Sequence, residues 1–342
     1  MILKQTLLFS LFIVLMSSCV KLNPEESNSQ VNINGNGLVL IGNEGNFQYG
    51  NSSLTTYNKY SFETSSEVYQ SVNQNPIGDV LNSINHIEHE LFLVVNNSGK
   101  IIIIDDESFS FINEISPLVS PRKIIKINNG KYYITDLYSN SIHIYNRYNE
   151  SISEIKVNGW CEDLIAYNGK AYVCNRENNQ LYVIDCNNDL IIDSIQVGEN
   201  PVSIQEDKLN RLWVLSQGNS QNNTYGSVSI IDPLSQTVTK SFNLMNNGNS
   251  PSALRIDKSS ENVYFLCGDV YKFSSINDTI AEIIWINSGE TFYNLEVDPY
   301  NNDIYLCNAK DYVQNGSILI IDSTGNLKNE VTTGIIPKSI IF

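Results

Sequence analysis

Residues 121–159 read PRKIIKINNGKYYITDLYSNSIHIYNRYNESISEIKVNG, residues 160–200 read WCEDLIAYNGKAYVCNRENNQLYVIDCNNDLIIDSIQVGEN, and the pattern starts again at 201 with PVSIQEDKLNRLWVLSQ. Each unit holds four short runs rich in Val, Ile and Tyr, parted by Asn, Gly, Asp and Pro. The period is about forty residues, that of one four-stranded propeller blade. Asn129-Gly130 and Asn168-Gly169 fall between two apolar runs. Asn-Gly readily takes positive φ at both central positions of a type I′ turn, so each pair predicts a tight hairpin. Runs such as Ile101–Ile104 and Ser229–Ile231 do not alternate cleanly. Strands covered on both faces by neighbouring sheets read this way, as blades packed face to face require.

Followed outward, the repeat gives six full units at 79–116, 121–157, 160–197, 201–244, 251–286 and 290–334. Segment 37–70 supplies three strands only, Gly37–Asn43, Ser52–Asn58 and Ser66–Tyr69. The chain ends in PKSIIF at 337–342, which matches the first strand of the other units, such as Pro121–Ile125. The expectation is an all-β, seven-bladed β-propeller over 37–342, with the ring closed by the C-terminal strand joining the N-terminal blade. Closure removes the open sheet edges.

The first residues are of another kind. One charge, Lys4, precedes an apolar run from Leu7 to Met16 and then Ser17-Ser18-Cys19. The run is too short to span a bilayer as a helix and has the zones of a signal peptide. A cysteine directly after two small residues resembles the lipobox of bacterial lipoproteins, with Met16 where that pattern usually has Leu. The resemblance implies a lipoprotein signal peptide at 1–18 and a lipidated Cys19 whose acyl chains hold the protein to a membrane. A plain secretory signal is the alternative. Residues 20–36, VKLNPEESNSQVNINGN, are poor in large apolar groups, so 19–36 reads as a flexible tether. Glu25-Glu26 resemble the acidic export signal of surface lipoproteins found with TonB-dependent importers. That implies an outer-membrane location facing the cell exterior.

With 21 Lys and Arg against 37 Asp and Glu, the formal net charge is −16. Nucleic acid and anionic lipid surfaces both need a basic footprint, so neither is expected as a partner. Cys161, Cys174, Cys186, Cys267 and Cys307 contain no CxxC spacing, which leaves a zinc or redox site without support. Cys174, Cys267 and Cys307 hold matching places in three units and read as small buried hydrophobes. A Cys161–Cys174 disulfide stays open, although the inferred register offsets the two by about two residues. His86, His89 and His143 share no rim site, and no nucleophile elbow, P-loop, zincin helix or dinucleotide fingerprint occurs. Neither an enzyme nor a cofactor or metal site is therefore expected. Carboxylates drawn from several blades into the channel mouth would reopen a lyase or hydrolase reading.

In a propeller, the connections between second and third strands share one face with those between blades, and function usually sits in such loops. Large side chains concentrate there: Phe47, Tyr49, Tyr138, Trp160, Tyr225, Phe292, Tyr293 and Tyr312, with Arg122 and Arg176 among them. Tyr and Trp present wide, stiff, amphipathic faces suited to a large flat ligand or a partner surface. For any one of them, packing against loop backbone is an equal alternative. Asn96, Asn175 and Asn308, with Asp136 in the equivalent place, read as caps of the turns that end second strands.

The unit ENPVSIQEDKLNRLWVLSQ…GSVSIIDPLSQTV, starting at Glu199, resembles the YncE-like, or YVTN-type, propeller repeat. Shared features are a turn ending in Pro, a strand, a hairpin, and a hydrophobic strand ending in Ile-Asp. The opening GLVLIGNEGNFQYGNSSLTTYN at 37–58 is similar to the start of a group of YncE-like surface lipoproteins. Among these are BtuG-type cobalamin-binding propellers that cap a TonB-dependent transporter. The resemblance implies a ligand, cobalamin or a related corrinoid, bound at the propeller rim for delivery to such a transporter. A protein-interaction scaffold of the cell envelope is the other reading.

Overall fold

The computed structural model describes residues 37–244, 249–275 and 282–342. The expected signal peptide, Cys19 and the tether to residue 36 lie outside the described residues.

Among the described residues the strands form seven four-stranded antiparallel sheets. Six are meanders of consecutive strands, spanning Leu81–Ile115, Pro121–Lys156, Cys161–Gln196, Pro201–Asn243, Ser252–Trp285 and Phe292–Ile335; these are blades one to six. The seventh blade is composite. Pro337–Ile341 pairs with Leu38–Asn43, which pairs with Ser53–Asn58 and then Thr64–Ser65. Ile340 stands opposite Ile41 and Ile341 opposite Leu40. The innermost strands touch in cyclic order, with Pro337–Ile341 between those of the sixth and first blades. This is the closed seven-bladed propeller.

Its core is divided among the gaps between blades. Seven apolar clusters occur among the described residues, one at each blade-to-blade interface. Ile102 and Ile104 pack towards the composite blade while Ile101 and Ile103 pack towards the second. The unbroken isoleucine run thus serves both faces of one sheet, because a strand sends successive side chains to opposite sides. The same alternation separates the two cysteines. Cys161, opposite Asn175, packs between the second and third blades, and Cys174 packs between the third and fourth. All five described cysteines are free and buried.

Two local features differ from the sequence reading. The third strand of the composite blade is Thr64–Ser65 and not Ser66–Tyr69; a short helix, Val68–Asn73, takes up the following residues. That edge strand is exposed, so little holds it in the sheet, whereas the helix buries Tyr69 with Leu40, Leu54 and Ile77. In the hairpins, Asn168 and Gly169 both adopt positive φ as a type I′ turn needs. At Asn129-Gly130 only the glycine does, because a register shift between Lys126 and Asn128 changes the approach to the turn.

Candidate functional site

Near the first residue of all seven innermost strands, the pairing to the second strand shifts register. An extra residue of this kind bends a strand and re-aims its side chains. The result is that two consecutive residues of each innermost strand line the central cavity. These are Asn82-Ser83, Arg122-Lys123, Glu162-Asp163, Val202-Ser203, Ser252-Ala253, Tyr293-Asn294 and Lys338-Ser339. Arg176 and Gln217 reach the same cavity from the loops after second strands. Its volume is about 460 Å³, within the roughly 300–1,000 Å³ of small-molecule sites.

The lining is charged and internally paired. Arg122 donates to both carboxylate oxygens of Glu162, from Nε at 3.0 Å and Nη2 at 2.7 Å. The Trp160 indole N–H donates to the same carboxylate at 2.6 Å. Lys123 pairs with Asp163, Arg255 with Glu296 at 2.6 Å, and Lys338 with Glu44 at 2.9 Å. Arg176 sits over the Trp160 ring, its guanidinium carbon 3.9 Å from the ring centre, and donates through Nη2 to Gln217 Oε1 at 2.6 Å. Its buried Nε has no hydrogen-bond partner among the described residues. Tyr293 packs edge-on against Tyr312, with ring centres 6.0 Å apart, and points its hydroxyl at Glu44 from 3.4 Å.

Burial and charge compete at these groups. Burial pushes the Glu162 carboxyl up, but the charge and hydrogen bonds of Arg122, aided by Arg176 and Lys338, outweigh it and hold Glu162 below the ordinary range. Burial pulls the Lys338 ammonium down, more than Glu44 can restore. Burial likewise pulls Arg176 down, with Arg122 acting in the same sense and Glu162 against it. Burial also works against the Arg122 charge, yet its bonds to Glu162 leave it above its usual value. Four carboxylates, Glu44, Glu162, Asp163 and Glu296, thus converge on the channel, and each has a cationic partner.

The sequence-predicted residues separate into three groups. Arg176 and Tyr293 line the cavity, with Trp160 and Tyr312 packed directly against them. Phe47, Tyr49, Tyr138 and Tyr225 stand out on the surrounding loops, 62 to 78% exposed, and do not line it. Phe292 turns away and packs against the apolar cluster between the fifth and sixth blades. Sequence reasoning missed Glu44, Lys123, Glu162, Asp163, Arg255, Glu296 and Lys338. Most of them were marked by a signal that was present: they fall within the first five residues of an innermost strand, counted from Pro, Cys or Phe in units such as PRK, CED, FYN and PKS. The cap residues behave as read. Asn175 Oδ1 accepts from Asn178 N–H and Asn308 Oδ1 from the N–H groups of Thr291 and Lys310. Asn96 departs from this reading: it lies one residue past the end of its strand, and its side-chain amide donates to the Pro121 carbonyl at 3.1 Å rather than capping the turn. His86 bonds Asp106 at 2.8 Å and His143 approaches Asp136 at 3.4 Å, and neither histidine lines the cavity.

Fold and cavity together define a closed seven-bladed propeller whose inner strands surround a polar, ion-paired channel mouth. Over residues 36–334 the chain matches the family model described as a domain of unknown function, DUF5074, and it belongs to that family. Among solved structures, a quinoprotein alcohol dehydrogenase-like protein of Bacteroides thetaiotaomicron VPI-5482 superposes with a TM-score of 0.69 at 15% identity, covering 90% of this chain and 78% of that one. A hydrazine synthase of Kuenenia stuttgartiensis gives 0.64 at 16% identity, over 75% and 88%. Apo AztD from Citrobacter koseri gives 0.57 at 10% identity, over 89% and 97%. At such identities the likeness carries the fold alone. No curated protein matches the sequence.

Proposed function

We propose that this propeller is a binding protein that captures a bulky ligand at the channel mouth. The observation that carries the reading is the cavity itself. Seven register shifts turn fourteen consecutive-pair side chains into one opening of about 460 Å³, bordered by Trp160, Tyr293 and Tyr312. Rigid inner strands hold the polar groups while loop aromatics offer stiff contact area, an arrangement suited to recognition. The Glu162 carboxylate fits general acid catalysis poorly. Glu162 is held ionised by Arg122, whereas a general acid must keep its proton near neutral pH.

A corrinoid is the sharpest candidate, on the likeness of residues 37–58 to cobalamin-binding lipoproteins. In this reading Cys19 carries the lipid, the chain sits on the outer face of the outer membrane, and the ligand passes to a TonB-dependent transporter. Titrating the purified chain with cobalamin should give a tight, saturable signal, and silence at micromolar ligand removes the candidate. Protease accessibility on intact cells tests the location, and loss of envelope anchoring in Cys19→Ser tests the lipid.

Four exposed loop aromatics outside the cavity, Phe47, Tyr49, Tyr138 and Tyr225, favour a second reading, that of a scaffold gripping another envelope protein. Capture of a transporter in envelope pull-downs without any ligand would favour it.

A further inference from the structure

The channel mouth carries more positive charge than its carboxylates neutralise. Arg122, Arg176 and Lys338 all act on Glu162, and Glu44 is the second carboxylate of that sector. Three cations therefore face two anions, in a protein whose formal net charge is −16. Glu162 is taken up by the bidentate bond to Arg122 and by Trp160, and Glu44 by Lys338. Arg176 is left with an amide, Gln217, as its hydrogen-bond acceptor and with a buried Nε that donates to nothing among the described residues. A guanidinium stacked on an indole, with donors free and no carboxylate of its own, is built to receive an oxyanion.

We propose that this sector is an oxyanion site, in which a carboxylate or phosphate group of the ligand docks on Arg176 beside Trp160 and supplies the missing negative charge. The proposal rests on the reading that ligand binds at the channel mouth and names the chemical group recognised there. Lys338 contributes its charge from the closing strand. Glu162 is the competitor: it occupies Arg122, so its removal frees a second guanidinium for the anion. Because the protein as a whole is negatively charged, the site selects a ligand by a local charge opposite to that of the whole protein.

The test follows tryptophan fluorescence of the full chain during titration with sodium phosphate and, separately, sodium acetate. Sodium chloride holds ionic strength constant so that screening does not change. Trp160, in contact with Arg176, is the reporter. Saturation by phosphate but not acetate assigns the group to phosphate, and the reverse assigns it to carboxylate; either outcome supports the site. Arg176→Gln should weaken binding at least tenfold with an unchanged melting temperature. Glu162→Gln should tighten it at least threefold, a gain that general damage does not produce. Absence of saturation with both anions overturns the proposal, as does undiminished binding by Arg176→Gln. Repeating the cobalamin titration with each variant separates the two ideas. Cobalamin binding indifferent to Arg176→Gln and to saturating phosphate sinks the oxyanion site and leaves capture standing. Anion binding without cobalamin binding does the opposite for the corrinoid candidate.

Discussion

Glu162 accepts hydrogen bonds from Arg122 and Trp160 at a place where Arg176 and Lys338 add their fields. With its folded-state pKa depressed, the stability it lends is complete above the unfolded value, about 4.3, and is lost as pH falls through the folded one. Melting temperature should therefore decline below about pH 4, and Glu162→Gln should flatten part of that decline. At neutral pH the same variant should cost about 2 kcal/mol, the worth of a charge-assisted bond facing an open cavity. An acid slope identical in the two proteins would assign the loss to other carboxylates. The cysteines give a second expectation at this scale. Burial pushes the Cys161 thiol up to about 12 and those of Cys186 and Cys267 up to about 11. Thiolate is the reactive form, so iodoacetamide at mildly alkaline pH should leave the five buried cysteines of the native chain unlabelled and modify them once the chain unfolds. Rapid native labelling at Cys161 would contradict its place in the core.

Between blades, the elements are joined by short polar ties and by close backbone approach. Asn308 holds the N–H groups of Thr291 and Lys310 at 3.1 and 3.0 Å, fixing the incoming connection of its blade to the loop after its second strand. Replacing it with Ala should cost about 1–3 kcal/mol, because two buried or half-buried donors lose their acceptor. Gly316 shows why the second residue of the third strand in the sixth blade, Asn315–Ile321, must lack a side chain. A Cβ there would lie 2.4 Å from Pro337 Cδ and 2.7 Å from the Asn308 carbonyl oxygen. Gly226 stands in the same relation to Pro251 in the fourth blade. Gly316→Ala should lower stability by about 1–3 kcal/mol through overpacking, measured from the denaturant midpoint. An unshifted midpoint would mean that the closing strand gives way freely.

At the scale of the ring, the C-terminal strand belongs to two interfaces. Ile340 and Phe342 pack with the sixth blade, and Ile341 packs with the cluster shared by the composite and first blades. Deleting 337–342 removes four paired positions against Leu40–Asn43 and also takes Lys338 from the channel. Each fully buried Ile side chain is worth roughly 1.5–3 kcal/mol, so the truncated chain should melt on the order of 10 °C lower. Its single transition should also broaden, since an open ring exposes a blade edge and loses closure. A truncated chain melting at the native temperature would show that the other five interfaces suffice.

The sequence alone determined the blades, their number and the joining of the chain's two ends, because hairpin turns and doubly buried strands leave a local pattern repeated about every forty residues. PRKIIKINNG and PKSIIF announced innermost strands without any coordinates. It also placed Arg176, Tyr293, Trp160 and Tyr312 at the mouth, because they follow turns whose position in the repeat is fixed. Only the tertiary structure decided that Glu162, Lys123 and Lys338 face the channel, since strand alternation would send half of each consecutive pair into the core. The register shift that overrides alternation depends on how the innermost strand meets its neighbour. Ring closure then sets Glu44 against Lys338 and Tyr293, residues almost 300 and 250 positions apart, and no local pattern in a chain encodes such a distance.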